Sequence, residues 1–302
     1  MNLSVNIGKL KLKNPILVAS GTFGYGKEFE ELVDLEKLGG IITKTITLNP
    51  RQGNKPPRIV ETASGMLNSI GIENKGVENF IKDKLPFLTK LKTKVIVSIQ
   101  AETPSELAKI IRYLNNTSID AIELNLSCPN INSQAHNLIA QDEKATYQFV
   151  KAARKATKNV IIAKLSPNVT DVVEIAQAAE EAGADALSLV NTFFGMSIDI
   201  NTKKPRLGNI YGGLSGPAIK PIALKMVYDV AKNTKIPIIG MGGIMNWQDA
   251  LEFMVAGASA VCLGTANFVN PKASIEILEG IKRYMADKKI NNIKSLIGSI
   301  NI

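Results

Sequence analysis

The chain has 302 residues, room for two domains of about 150 residues or for one α/β barrel of about 250. Apolar residues make up 45% and charged residues 21%, and 23 Gly with 13 Pro stay far below a disordered or collagen-like fraction, so a folded globular chain is expected. Lys and Arg outnumber Asp and Glu by 36 to 27, giving +9, but the excess is scattered and no recognised motif or aromatic interleaving accompanies it; that argues against a nucleic-acid partner and leaves an anionic small ligand.

In chain order, strand candidates before and after Gly8-Lys9 predict a small hairpin, with Lys9, Lys11 and Lys13 alternating on its solvated face. Short apolar runs suited to buried parallel strands follow at 16–19, 40–43, 95–99, 121–124, 160–163, 186–190, 236–239 and 260–263. Helical periodicity marks 103–115, 142–157, 171–182, 217–233, 247–256 and 273–287. Thr170 and Asn246 are placed as N-caps, and Gly183 and Gly257 as C-caps leading straight into strands. The segments Ala182-Gly-Ala-Asp-Ala-Leu-Ser-Leu and Ala256-Gly-Ala-Ser-Ala-Val-Cys-Leu are near-copies, with Ile119-Asp-Ala-Ile-Glu-Leu a weaker third, which favours one repeated unit over two unrelated domains. The expected class is α/β: a single (β/α)8 TIM barrel over residues 1–302, with an N-terminal β-hairpin and long insertions at its C-terminal face, a doubly wound open sheet being the rival. The insertions, 48–91 and 192–215, exceed ordinary loop length and read as binding elements. No apolar run reaches the ~18 residues of a membrane span, and no basic then apolar leader opens the chain, so a cytoplasmic protein off the membrane is expected.

A barrel enzyme builds its site at the C-terminal ends of its strands. Those ends here carry Ser20-Gly21, Lys44-Thr45, Gln100, Asn125, Lys164, Asn191-Thr192, Gly242-Gly243 and Gly264-Thr265. Gly242, Gly243, Gly264 and Gly216 sit where barrels often bind phosphate through the backbone; alternatively they only make tight turns. Lys44 and Lys164 end otherwise apolar strands and invite an anion, unless each is paired with a carboxylate. Asn68, Asn125, Asn130 and Asn191, with Ser69 and Thr192, offer uncharged donors and acceptors suited to a planar ligand with alternating N–H and C=O groups, although single asparagines are often turn or cap residues. Of two cysteines, Cys262 lies in an apolar run and reads as core, while Cys128 is a candidate base or nucleophile. His136 is the only histidine; a Cys–His pair lacks an orienting third residue, and the spacing fits no zinc site, so no metal is predicted.

The strings Thr43-Lys-Thr-Ile-Thr-Leu-Asn-Pro-Arg-Gln-Gly-Asn, Gly65-Met-Leu-Asn-Ser-Ile-Gly, Asn125-Leu-Ser-Cys-Pro-Asn, Gly213-Leu-Ser-Gly-Pro-Ala-Ile-Lys-Pro and Ile239-Gly-Met-Gly-Gly-Ile together resemble dihydroorotate dehydrogenases across essentially the whole chain, and the fourth is similar to the NAD-linked class 1B catalytic subunits. That resemblance implies a barrel with one FMN per chain, held by Ser20, Lys44, Thr45, Ser98, Asn125, Lys164, Val190, Gly216, Gly242, Gly243, Gly264 and Thr265. It implies pyrimidine contacts from Lys44, Asn68, Ser69, Ile70, Gly71, Ile72, Asn125, Asn191 and Thr192, and Cys128 as catalytic base. Two departures stand out: Ser98-Ile-Gln-Ala101 replaces the Asn and Gly frequent in the third-strand turn, and residues 131–141 contain none of the usual glycine.

The activity so implied is oxidation of (S)-dihydroorotate to orotate in pyrimidine (UMP) biosynthesis, with hydride to FMN and electrons on to NAD. The resemblance and two gaps, no iron–sulfur Cys cluster and no G-x-G-x-x-G after a strand, imply a partner subunit carrying FAD and [2Fe–2S], in a heterotetramer of two catalytic and two electron-transfer chains. The alternatives are a class 1A-like homodimer using fumarate, a flavin-binding electron-transfer subunit without dihydroorotate turnover, and a barrel that binds only a phosphorylated substrate.

Overall fold

The computed structural model describes residues 1–127 and 139–301. Eight short strands form one closed parallel barrel: β1 (Ile16–Val18), β2 (Gly40–Ile42), β3 (Lys94–Ile99), β4 (Ala121–Asn125), β5 (Val160–Lys164), β6 (Ala186–Leu189), β7 (Ile238–Met241) and β8 (Ala260–Leu263). Neighbours in the ring are neighbours in sequence, and β8 closes on β1 through Leu263↔Val18. These are the eight runs read from the sequence. Both faces of each strand are covered, so the pattern is a continuous apolar run rather than an alternation. Several strand ends differ from expectation by one or two residues, three of them with a clear consequence. Strand β7 starts at Ile238 because Pro237 has no N–H to give the ladder and contributes only its carbonyl, to Leu187 N–H. Strands β4 and β5 run one residue further, so Asn125 pairs directly with Lys164 and both polar side chains stand on rigid backbone.

The outer helices are α1 (Pro104–Leu114), α2 (Glu143–Ala156), α3 (Val172–Glu181), α4 (Lys220–Asn233), α5 (Trp247–Ala256) and α6 (Ala273–Asp287). Asn246 caps α5 as expected. The cap of α3 is corrected from Thr170 to Asp171, whose extended backbone lets its carboxylate accept from Val173 N–H at 2.7 Å; a negative group also suits the helix N-terminus better than a hydroxyl. The α/β regularity lapses after β1, where two short helical turns and the stacked rings of Phe23 and Phe29 occupy the place of a helix. No helix among the described residues is long and apolar enough to cross a membrane.

The internal echo has a physical cause. Asp120 and Asp185, each just ahead of a strand, accept the N–H of the second residue of the preceding strand, Val95 and Ile161, at 2.9 and 2.8 Å, and each pairs with a cation, Lys94 or Arg154. All three copies share a backbone bond, the N–H groups of Asp120, Asp185 and Ser259 donating to the carbonyls of Val95, Ile161 and Ile238 at 3.0, 2.9 and 2.8 Å.

The predicted hairpin, Val5–Ile7 with Leu10–Leu12, buries Val5, Ile7, Leu10 and Leu12 against the barrel and leaves Lys9 and Lys11 in water. Its turn lies against Asp185, the residue before β6, which puts the hairpin at the N-terminal end. At the other end the two insertions meet in one antiparallel sheet of four strands, Phe193–Met196, Tyr211–Ser215, Gly65–Asn68 and Ile59–Thr62 in spatial order, here called the cap sheet. Val60, Leu67 and Leu207 form its own small apolar core.

Candidate active site

The barrel mouth and the cap sheet enclose a cavity of about 410 Å³, within the range of small-molecule sites. Around the barrel its wall takes Ser20 from the β1 exit, Lys44 and Thr45 from β2, Asn125 and Lys164 from β4 and β5, and Val190, Asn191 and Thr192 from β6. Gly242 and Gly243 follow β7, and Gly264 and Thr265 follow β8. The cap sheet adds Asn68, Ile70, Gly71 and Ile72, and Gly216 stands where it rejoins α4.

Two residues of the expected set lie behind this wall. Ser98 is fully buried on β3, and its hydroxyl is hydrogen-bonded to that of Thr45 at 2.9 Å, so it orients a wall residue instead of facing the cavity. Ser69 is buried on the far side of its segment, where its hydroxyl accepts from Asn54 Nδ2 at 2.9 Å and its N–H donates to Arg58 O at 2.7 Å. Extended backbone turns alternate side chains to opposite faces, which separates Ser69 from Asn68 and Ile70. Cys128, Asn130 and His136 lie outside the described residues.

The glycine end is a cradle shaped for close approach. Gly216 and Gly243 hold φ of +97° and +75°, and a Cβ at Gly243 would come within 2.9 Å of Gly216 O. A Cβ at Gly21 or Gly264 would meet nothing within 4 Å, because both positions open onto empty space. Thr265 Oγ1 donates to Ser215 Oγ at 2.8 Å beside the cradle. Backbone N–H groups at such a rim are suited to phosphate oxygens.

The opposite wall is cationic and amide-lined. Lys164 is 5% exposed, Lys44 is half-buried, and among the described residues neither has a carboxylate within 4.0 Å. A buried ammonium without a partner favours an anionic or carbonyl-rich ligand. Asn125 Nδ2 donates to Thr45 Oγ1 at 3.1 Å, and Asn191 Nδ2 donates to Ser127 Oγ at 3.0 Å, so the barrel fixes the orientation of both amides. Below this layer Glu123 is fully buried; its Oε2 accepts from Ser188 Oγ at 3.3 Å, while Oε1 has no hydrogen-bond partner among the described residues. Burial, helped by Glu123, pushes the Cys262 thiol far above the ordinary thiol range, which leaves it an inert core group.

A family model described as dihydroorotate dehydrogenase matches residues 2–285. The chain belongs to the dihydroorotate dehydrogenase family. Its relatives include proteins named dihydroorotate dehydrogenase B (NAD(+)), catalytic subunit. That of Thermoanaerobacter pseudethanolicus is 51% identical over 304 residues, covering 100% of both chains. That of Caldicellulosiruptor bescii is 51% identical over 302 residues, again 100% of both, and that of Trichlorobacter lovleyi 52% identical over 299 residues, 99% of this chain and 98% of its own.

Sequence reasoning missed several residues that line or brace this cavity. Ser127 lay inside a quoted motif, one place before Cys128, without being singled out. Ser215 could have been found as the neighbour of Gly216. Asn168, which bonds the cap sheet, carries no sequence signal beyond following Ser166-Pro at a strand exit.

Proposed function

We propose that this chain is a cytoplasmic enzyme that oxidises (S)-dihydroorotate to orotate in UMP biosynthesis, as a single barrel domain carrying one FMN. In this reading it works with a partner subunit holding FAD and [2Fe–2S] that delivers the electrons to NAD, two chains of each kind per assembly. The observation that carries the reading is one cavity with a glycine cradle at one end and, at the other, converging amides plus two lysines that have no ion-pair partner among the described residues. The family membership and the printed names of the relatives support the reaction class.

The residues present fit FMN. Gly216, Gly242, Gly243, Gly264 and Thr265 would hold the phosphate, with Ser20, Thr45, Asn125, Lys164 and Val190 along the ring system and Ser98 acting through Thr45. When bound, FMN would supply the hydride acceptor for C6 of the substrate. The substrate C5 proton is α to a carbonyl, and Cys128 is the proposed base for it, a role that needs nearby positive charge to favour the thiolate. Lys44 would pair with the substrate carboxylate, Asn125, Asn191 and Thr192 would hold the ring amides, and Asn68 through Ile72 would cover the ring from the cap sheet, Ser69 supporting from behind. The exposed apolar row of Phe194, Met196, Ile198 and Ile200 on the cap insertion supports an assembly with other chains.

The test is an anaerobic visible spectrum of the purified chain before and after adding dihydroorotate. A flavin band that bleaches is the expected result. A flavin that stays oxidised would reduce the chain to an electron-transfer role, and a colourless chain that cannot be reconstituted with FMN would overturn the reading. Fumarate turnover without a partner would replace the NAD-linked assignment with a self-sufficient homodimer.

A further inference from the structure

The first strand of the cap sheet, Phe193–Met196, is an edge strand, and it begins directly after Asn191 and Thr192. Phe193 pairs inward with Leu214, so the carbonyl of Thr192 and the N–H of Phe194 point out of the sheet, where an edge strand ordinarily leaves them to water. Here they meet one side chain. Asn168 Nδ2 donates to Thr192 O at 3.0 Å, and Asn168 Oδ1 accepts from Phe194 N–H at 2.9 Å. A carboxamide has the same donor and acceptor pair as a peptide group, and Asn168 uses both ends as a neighbouring strand would.

Asn168 is itself held from below. Its N–H and its Nδ2 donate to Ser166 Oγ at 3.1 and 3.2 Å, Ser166 is buried just past the end of β5, and Gln141 Nε2 donates to Asn168 O at 2.7 Å. On the other side of the same segment, Asn191 Nδ2 donates to Ser127 O and Oγ at 3.1 and 3.0 Å, and Asn191 Oδ1 accepts from Thr192 N–H at 2.9 Å. The stretch 191–194 is therefore clamped to the exits of β4 and β5 at once.

We infer that Asn168, assisted by Ser127, is a positioning residue for substrate recognition: it pins the edge of the cap sheet to the barrel rim and so fixes where Asn191 and Thr192 meet the ligand. This rests on the reading of the cavity given above. Asn168 does not line the cavity, so its replacement acts only through that segment.

The test is Asn168→Ala in the full-length FMN-loaded chain, with orotate affinity measured by calorimetry beside FMN content, thermal midpoint and hydrogen exchange at the Phe194 amide. We expect orotate to bind about tenfold more weakly while FMN content holds and the midpoint stays within about 2 °C, with faster exchange at Phe194. Asn168→Asp keeps the acceptor for Phe194 but turns an oxygen towards Thr192 O, so it should keep the amide protected and still weaken orotate. Wild-type orotate affinity in Asn168→Ala, or loss of FMN and stability in parallel with it, would overturn the inference. If the wild-type chain binds no orotate, the cavity reading fails instead; exchange at Phe194 then still decides whether the clamp exists, unchanged exchange overturning it.

Discussion

The two ends of the barrel are closed by opposite means. At the N-terminal end a hairpin of three-residue strands lays four buried aliphatic side chains across the opening and keeps its lysines in water. At the C-terminal end a sheet assembled from two distant insertions closes over a wall of lysines, asparagines and glycines. Apolar burial is non-directional and scales with area, so the first closure contributes stability and tolerates rearrangement. The second depends on donors and acceptors aimed at fixed points, and small displacements there cost function before they cost folding.

The comparison is sharpest if each end can be damaged alone. At the C-terminal end Cys128→Ser should slow anaerobic reduction of the flavin by dihydroorotate about 10³-fold in stopped flow, because a hydroxyl is a far poorer base near neutral pH than a thiolate. FMN content and orotate affinity should hold. Near-normal reduction would remove Cys128 from the reaction. At the N-terminal end Leu12→Ala should lower unfolding stability by about 3 kcal/mol in urea titration, Leu12 being fully buried, with orotate affinity unchanged below the transition. A loss of affinity without a loss of stability would break the division between the ends.

Lys164→Ala tests a residue belonging to both descriptions, since it ends a barrel strand and faces the cavity. Removing one charge-assisted contact, worth about 1.5–3 kcal/mol, should weaken FMN about 10- to 100-fold in fluorescence titration of the reconstituted apoprotein. Since the ammonium has no ion-pair partner among the described residues, its loss strands no buried carboxylate within 4.0 Å, and stability should change little. Unaltered FMN affinity would make Lys164 a packing residue.

The same division explains what the sequence made legible. All eight barrel strands could be read because each is a short run buried on both faces, and the hairpin because Leu10 and Leu12 alternate with Lys9, Lys11 and Lys13. The cap sheet could not, since Asn68 meets Gly213 across 145 residues and neither insertion announces the other. The polar strand ends pointed to the cavity because a Lys or Asn closing an apolar run is anomalous. Ser69 stands behind the wall because extended backbone turns alternate side chains to opposite faces, so a contiguous motif does not present every residue to one side. Asn168 was invisible because its role is a pair of directional hydrogen bonds to backbone atoms, and no side-chain pattern records those.

The smallest expected effect is the most searching for the comparison. Asn246 stands at the C-terminal end, three residues beyond Gly243, yet its bonds are structural: its Oδ1 accepts from Asp249 N–H at 2.9 Å, and Asp249 Oδ2 accepts from the N–H groups of Asn246 and Met245 at 3.2 and 2.8 Å. This capping box opens α5, and Asp249 also binds Lys220 Nζ at 2.6 Å, which ties α5 to α4 behind the cradle. Asn246→Ala should cost about 1 kcal/mol of unfolding stability, the usual worth of an N-cap. If position at the C-terminal end alone decides function, FMN affinity should fall as well, because Met245 lines the cavity. If aim decides it, as the geometry of the wall implies, FMN affinity should stay within about twofold, since Asp249 still accepts from Met245 N–H and Gly242 and Gly243 keep their own backbone. Titrating FMN into the variant apoprotein separates the two, and a tenfold loss would mean that the cradle is held by its helix and not by its glycines.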